Sequence, residues 1–186
     1  MKLSRLSTEE LAAVVCDALE RHGFTAVLTG GGCVMIYAEG KYVSKDLDFV
    51  LVPQDRLKEV EVALAELGFR AEGRVYVHPE VDMAVDVGNR WPLAVGQEIL
   101  KPPPRRRVSG YYLRMLSATD CVKDRLAAFY HWDDRQALEQ AILVCLAQRV
   151  NMREVGRWSR AEGQEAGFAE FRRELSRRRR AARRSG

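Results

Sequence analysis

Apolar side chains at Leu11, Val14, Val15, Ala18 and Leu19 recur at the three- and four-residue spacing of one helix face. Directly before them, Ser7-Thr8-Glu9-Glu10 has the form of a capping box, a hydroxyl followed three residues later by a carboxylate. The pattern predicts a helix over 8–22 that stops at His22-Gly23. A short β-prone run over 25–29 follows and ends at Gly30-Gly31-Gly32. The apolar stretch 33–38, stopped by Gly40, predicts a short helix. Residues 46–52 alternate with a period of two and meet Pro53, which predicts a strand. Leu57, Val60, Ala63, Leu64 and Leu67 return to helical spacing before Gly68.

Residues 69–100 read as further strands, clearest at 75–77 and 81–87. Lys101-Pro-Pro-Pro-Arg-Arg-Arg107 fits neither a helix nor a central strand and predicts an extended surface loop. One more strand is predicted over 111–116. From Ser117 the pattern is helical only. Val122, Leu126 and Phe129 mark a first helix, 134–148 a second, and the capping-box match Asn151-Met-Arg-Glu154 opens a third. There is no internal repeat. The order predicts an α+β fold: a mixed-sheet domain with flanking helices over 1–116, then a C-terminal helical region over 117–175. Residues 176–186 are expected to form a disordered basic tail.

Composition narrows the class. At 186 residues and 47% hydrophobic, the chain is long enough for one well-packed core. No apolar run approaches the roughly 18 residues of a membrane span, and no signal-like segment opens the chain, so a cytoplasmic protein without membrane contact is expected. Cys16, Cys33, Cys121 and Cys145 are scattered, which suggests neither a zinc knuckle nor a disulfide framework. The net charge of +4 is unevenly held: residues 176–186 carry six arginines and no acid, so the remainder is at −2. A broad basic face on the body is therefore not expected, whereas a basic arm able to touch phosphates is. Trp132 and Trp158 are expected to be packing residues and not base-stacking platforms.

The stretch 28–52, LTGGGCVMIYAEGKYVSKDLDFVLV, carries the chemistry. A strand ends in glycines, a helix begins after them, and Asp46 and Asp48 then sit at i and i+2 on a strand, so both carboxylates project from one face. Adjacent carboxylates repel, and a divalent cation held by one or two of them plus substrate phosphates removes the conflict. Glycines let backbone approach a phosphate, and a helix N-terminus offers free N–H groups. Asp82 and Asp86, four apart on the predicted strand 81–87, are both candidates for a third carboxylate. Asp86, flanked by Val85 and Val87, is preferred.

The ordered set Gly30, Gly31, Ser44, Asp46 and Asp48 resembles the first motif of the DNA polymerase beta-like nucleotidyltransferase superfamily. Fourteen residues separate Gly31 from Asp46, near the upper end of that family's spacing. Val85-Asp-Val87, Trp91-Pro-Leu-Ala-Val-Gly96, Thr119-Asp-Cys-Val-Lys-Asp-Arg-Leu126 and His131-Trp-Asp-Asp-Arg-Gln-Ala-Leu138 are similar to small bacterial minimal nucleotidyltransferases of the AbiEii-toxin-like group. The resemblance covers residues 7–160 and leaves the tail outside.

It implies a Mg2+-dependent transfer, with Mn2+ as a substitute, of an NMP from an NTP such as ATP to a hydroxyl of RNA, protein or a small molecule. Asp46, Asp48 and Asp86 would be the catalytic, metal-holding carboxylates. Gly30, Gly31, Ser44 and Lys123 would bind the nucleotide, Lys123 by reaching the phosphates from the first C-terminal helix. The toxin-like group further implies a tRNA or protein acceptor and an antitoxin partner. The competing readings are a catalytically weak or inactive nucleotide- or RNA-binding protein of the same fold, and an RNA-binding accessory protein acting through the tail.

Overall fold

The computed structural model describes residues 2–52, 56–88 and 92–184. Pro53 and Trp91, used above as a strand stop and as part of a family-like motif, lie outside them. A short 3-10 turn (Leu3–Arg5) leads into α1 (Thr8–Arg21). Its capping box forms as expected: the Ser7 hydroxyl accepts from the Glu10 N–H, and the Glu10 carboxylate accepts from the Ser7 N–H at 2.9 Å. Strand β1 (Thr25–Thr29) passes without a loop into α2 (Gly30–Tyr37), which starts at the first glycine and not at Cys33. Then come β2 (Asp46–Val52), α3 (Leu57–Ala65), β3 (Arg70–Glu72), β4 (Val75–His78) and β5 (Val81–Gly88).

These five strands form one mixed sheet in the order β1-β2-β5-β4-β3. Only β2 and β5 run parallel; the other pairs are antiparallel. The sheet therefore has at its centre the two strands that carry Asp46, Asp48 and Asp86. Leu47, Phe49 and Val85, which alternate with them, are buried on the other face.

Two small hairpins follow, β6 (Ala94–Val95) with β7 (Glu98–Ile99), and β8 (Arg106–Val108) with β9 (Tyr111–Leu113). The end of the expected 101–107 loop is thus a strand, because Arg106 and Arg107 pair with Leu113 and Tyr112. The strand expected over 111–116 stops at Leu113, and the chain then runs along β1. There the Leu28 N–H donates to Arg114 O and the Leu116 N–H donates to Leu28 O.

The rest is helical: α4 (Ala118–Trp132), α5 (Arg135–Ala147), α6 (Met152–Ala161) and α7 (Glu165–Arg184). Capping explains the starts, since Ser117, Asp134 and Asn151 each accept an N–H three residues on. Helix α2 lies between sheet and helices, packing on β1 and β2 on one side and on α4 and α5 on the other. Leu28, Leu47 and Phe49 of the sheet share one buried cluster with Leu126, Leu138 and Trp158 of the helices.

Two expectations need correction. Residues 176–184 are not a disordered tail but the second half of α7, anchored by the buried Phe171 and Leu175 and by Arg179, which donates to Cys145 O. Trp158 is fully buried, but Trp132 is 75% exposed at the end of α4. Among the described residues no helix is long and apolar enough to cross a membrane.

Candidate active site

Asp48 and Asp86 are direct neighbours across the β2–β5 pair, matched in register. Parallel strands lie about 4.8 Å apart, so the two carboxylates leave the same face of the sheet side by side. Asp46 is one step along β2 on that face, opposite Ala84. Asp82 precedes the paired register and is exposed, so of the two candidates Asp86 is the one placed beside Asp48.

The glycines are shaped around these acids. Gly30 has φ +60°, and a Cβ there would lie 2.1 Å from Asp48 Oδ2. A Cβ on Gly31 would lie 2.6 Å from the hydroxyl of the buried Ser44, which in turn donates to Asp46 Oδ1 at 3.1 Å. Thr29 Oγ1 donates to the Asp48 carbonyl at 3.3 Å and ties the end of β1 to β2. The motif Gly30, Gly31, Ser44, Asp46, Asp48 is thus one contiguous patch, although 14 residues separate Gly31 from Asp46.

The electrostatics are those of a site short of positive charge. The Asp48 carboxyl is pushed up to about 6, first by burial and then by the charges of Asp46 and Asp86; Arg125 and the Gly31 N–H act in the opposite direction. Arg125, on α4, donates to Asp124 at 2.5 Å and to Gln140 Oε1 at 3.3 Å. Its positive charge acts on Asp48.

Lys123 is placed elsewhere. It lies two residues from Arg125, about 200° around the helix, and its side chain is only 2% exposed. Its ammonium is held by Glu154 at 2.8 Å, Glu98 at 3.0 Å and Asp120 at 3.4 Å. These pairs clamp α4 to α6 and to the β6–β7 hairpin. Lys123, expected to reach a phosphate, has its ammonium in this ion-pair cluster, whereas the charge of Arg125 acts on Asp48.

Among the described residues no group of three His, Cys, Asp or Glu side chains is gathered so as to hold a metal ion by itself. That does not conflict with a hard divalent cation, because Mg2+ commonly uses one or two carboxylates and completes its shell with water and substrate phosphates. The raised Asp48, with two further carboxylates beside it, is the donor set such an ion suits.

Two solved structures share the architecture. An antigenic nucleotidyltransferase-like protein from Paracoccidioides brasiliensis is similar with a TM-score of 0.56 at 12% identity, covering 74% of this chain and 74% of its own. The antibiotic-resistance factor ANT(2'')-Ia in solution is similar with a TM-score of 0.50 at 17% identity, covering 96% of this chain and 100% of its own. No family model matches the sequence, and no curated protein matches it. The chain has the α+β nucleotidyltransferase fold, with its aspartates on the two central strands.

Proposed function

We propose that the chain is a divalent-metal-dependent nucleotidyltransferase that moves an NMP from an NTP to an acceptor hydroxyl. The observation that carries this reading is the in-register pair Asp48 and Asp86, with Asp46 on the same face and a glycine turn moulded on Asp48. Asp46 and Asp48 would hold Mg2+ or Mn2+, which when bound offsets their mutual repulsion and the charge of the triphosphate. Asp86, beside them, receives the proton of the acceptor hydroxyl. The acceptor oxygen forms a bond to the α-phosphorus, the bond from that phosphorus to the β-bridging oxygen breaks, and pyrophosphate leaves.

The remaining residues position and balance charge. Ser44 fixes Asp46 through its hydroxyl. Gly30 and Gly31 leave the start of α2 free of side chains, so a phosphate can approach the backbone. Arg125 supplies the fixed positive charge near Asp48. The resemblance to the AbiEii-toxin-like group extends the proposal to an RNA such as tRNA as acceptor, and to an antitoxin as partner.

The test is incubation of the protein with each labelled NTP, Mg2+ and total RNA. Label should move to a macromolecule with the wild type and not with Asp48→Asn or Asp86→Asn. Metal-dependent NTP binding without transfer to any acceptor would favour the catalytically inactive binding protein instead.

A further inference from the structure

The charge of this molecule is concentrated on one helix. Residues 172–184 of α7 hold eight arginines and one acid, a net +7, and taking +7 from the chain's +4 leaves −3 for everything else. Self-repulsion of this kind disfavours a helix unless something offsets it. Part is offset internally: Arg177 pairs with Glu174 at 2.6 Å and Arg178 pairs with Glu139. Among the described residues, Arg173, Arg180, Arg183 and Arg184 have no acidic partner, and all four are exposed.

The placement is regular. Arg173, Arg177, Arg180 and Arg184 fall at i, i+4, i+7 and i+11, a single ridge about 16 Å long at 1.5 Å per residue. On a second side, Arg172 and Arg179 join Arg153 of α6 around an open cleft of about 350 Å3, floored by Phe168 and Leu175. Arg172 lies over the Phe168 ring, 5.9 Å from its centroid. The arginines are held by a helix that Phe171 and Leu175 bury against the body, so the array keeps its spacing.

We propose that this two-sided arginine helix is a binding surface for the phosphate backbone of single-stranded RNA. Guanidinium groups suit phosphate because their planar fork of donors matches its oxygens. Two ridges on different sides of one helix favour a flexible strand that bends over both, whereas a rigid duplex touches one. Past Phe171 the exposed residues include no aromatic, and Arg172 lies over the half-buried Phe168 ring, so binding is chiefly to the backbone and independent of sequence. The choice of RNA rests on the transferase reading, in which RNA is the acceptor.

The test uses the full chain, a labelled mixed-sequence single-stranded RNA and fluorescence anisotropy, with a chelator and no NTP, so the result does not depend on catalysis. The variant Arg173→Gln/Arg177→Gln/Arg180→Gln/Arg184→Gln leaves the buried anchors in place, and circular dichroism checks that α7 persists. It should bind at least about tenfold more weakly, and the log–log salt slope should fall by about 0.7 per lost phosphate contact. Unchanged affinity and slope in a folded variant would overturn the proposal. A duplex that binds as tightly as the single strand would overturn the choice of a flexible strand. An acidic peptide that displaces the RNA at equal charge would show the surface to be one for protein.

Discussion

Asp48 fills the space that a side chain on Gly30 would need: a methyl group on the first glycine of α2 would sit 2.1 Å from a carboxylate oxygen of Asp48. Relief would require the Asp48 side chain or the start of α2 to move, and φ +60° at Gly30 is strained for any other residue. Gly30→Ala should therefore cost about 1–3 kcal/mol of stability and weaken Mg2+-dependent NTP binding. Gly40→Ala is the control, for φ is +78° there but nothing lies within 4 Å of the added carbon. It should share the backbone penalty and leave nucleotide binding intact. Thermal melting and NTP titration of both variants decide the matter. Equal nucleotide affinity in the two would show that the close approach to Asp48 has no bearing on the site.

The raised Asp48 gives a pH dependence with a definite sign. Its folded-state value of about 6 lies above the ordinary 3.8, so between these limits the folded state binds more protons than the unfolded one. Stability should therefore fall as pH rises from 3.8 to 6 and stay reduced above that, by roughly 2–3 kcal/mol at neutral pH for this group. Asp48→Asn in chelator at pH 8 should melt higher than the wild type, and should lose the stabilisation that Mg2+ with NTP gives the wild type. A lower melting temperature for the variant under those conditions would contradict the charge crowding.

Arg125 and Lys123 should separate cleanly. Lys123→Met leaves three carboxylates facing one another and should cost about 3 kcal/mol, near the lower end for breaking a buried pair because its partners keep some contact with water. Nucleotide affinity per folded molecule should be unchanged. Arg125→Gln should instead weaken NTP binding about tenfold, the loss expected for one charge-assisted contact. The reverse pattern would return the phosphate-binding role to Lys123.

The same cluster predicts acid lability. Glu154 is held down at about 2, chiefly by Arg157 and then by Lys123. A carboxylate lowered in the folded state contributes stability above its ordinary 4.5, and that contribution is lost as pH falls from there towards 2. Acid unfolding of the wild type should steepen in this window, and Glu154→Gln should flatten it. A wild-type curve that keeps the same slope in the variant would dissociate Glu154 from the transition.

Sequence patterns showed what is local. The period-two aspartates of β2, the glycines that end β1 and the caps at Ser7 and Asn151 each need only a few neighbouring residues, and each appears in the structure where expected. The register that sets Asp86 beside Asp48 is tertiary, and the flanking valines only hinted at it. Helix phase was the harder matter. Lys123 and Arg125 are two residues apart, and only the docking of α4 on α2 decides which of them faces the aspartates. In α7, the helical spacing of Phe168, Phe171 and Leu175 is the local sign that the arginine run is folded, and the density of charge beyond them masks it.

The Trp158 indole N–H donates to Val95 O at 3.1 Å, and the Glu162 carboxylate accepts the Gln97 N–H at 2.7 Å. Both bonds pin the β6–β7 hairpin, which follows the strand bearing Asp86, to α6 and the turn after it. A protein shortened to its sheet would expose the indole-binding carbonyl and lose the carboxylate that steadies Gln97. The hairpin is in this way anchored by residues 63 and 65 positions later in the chain. A fragment that keeps this hairpin in place would have to carry α6 and Glu162 with it.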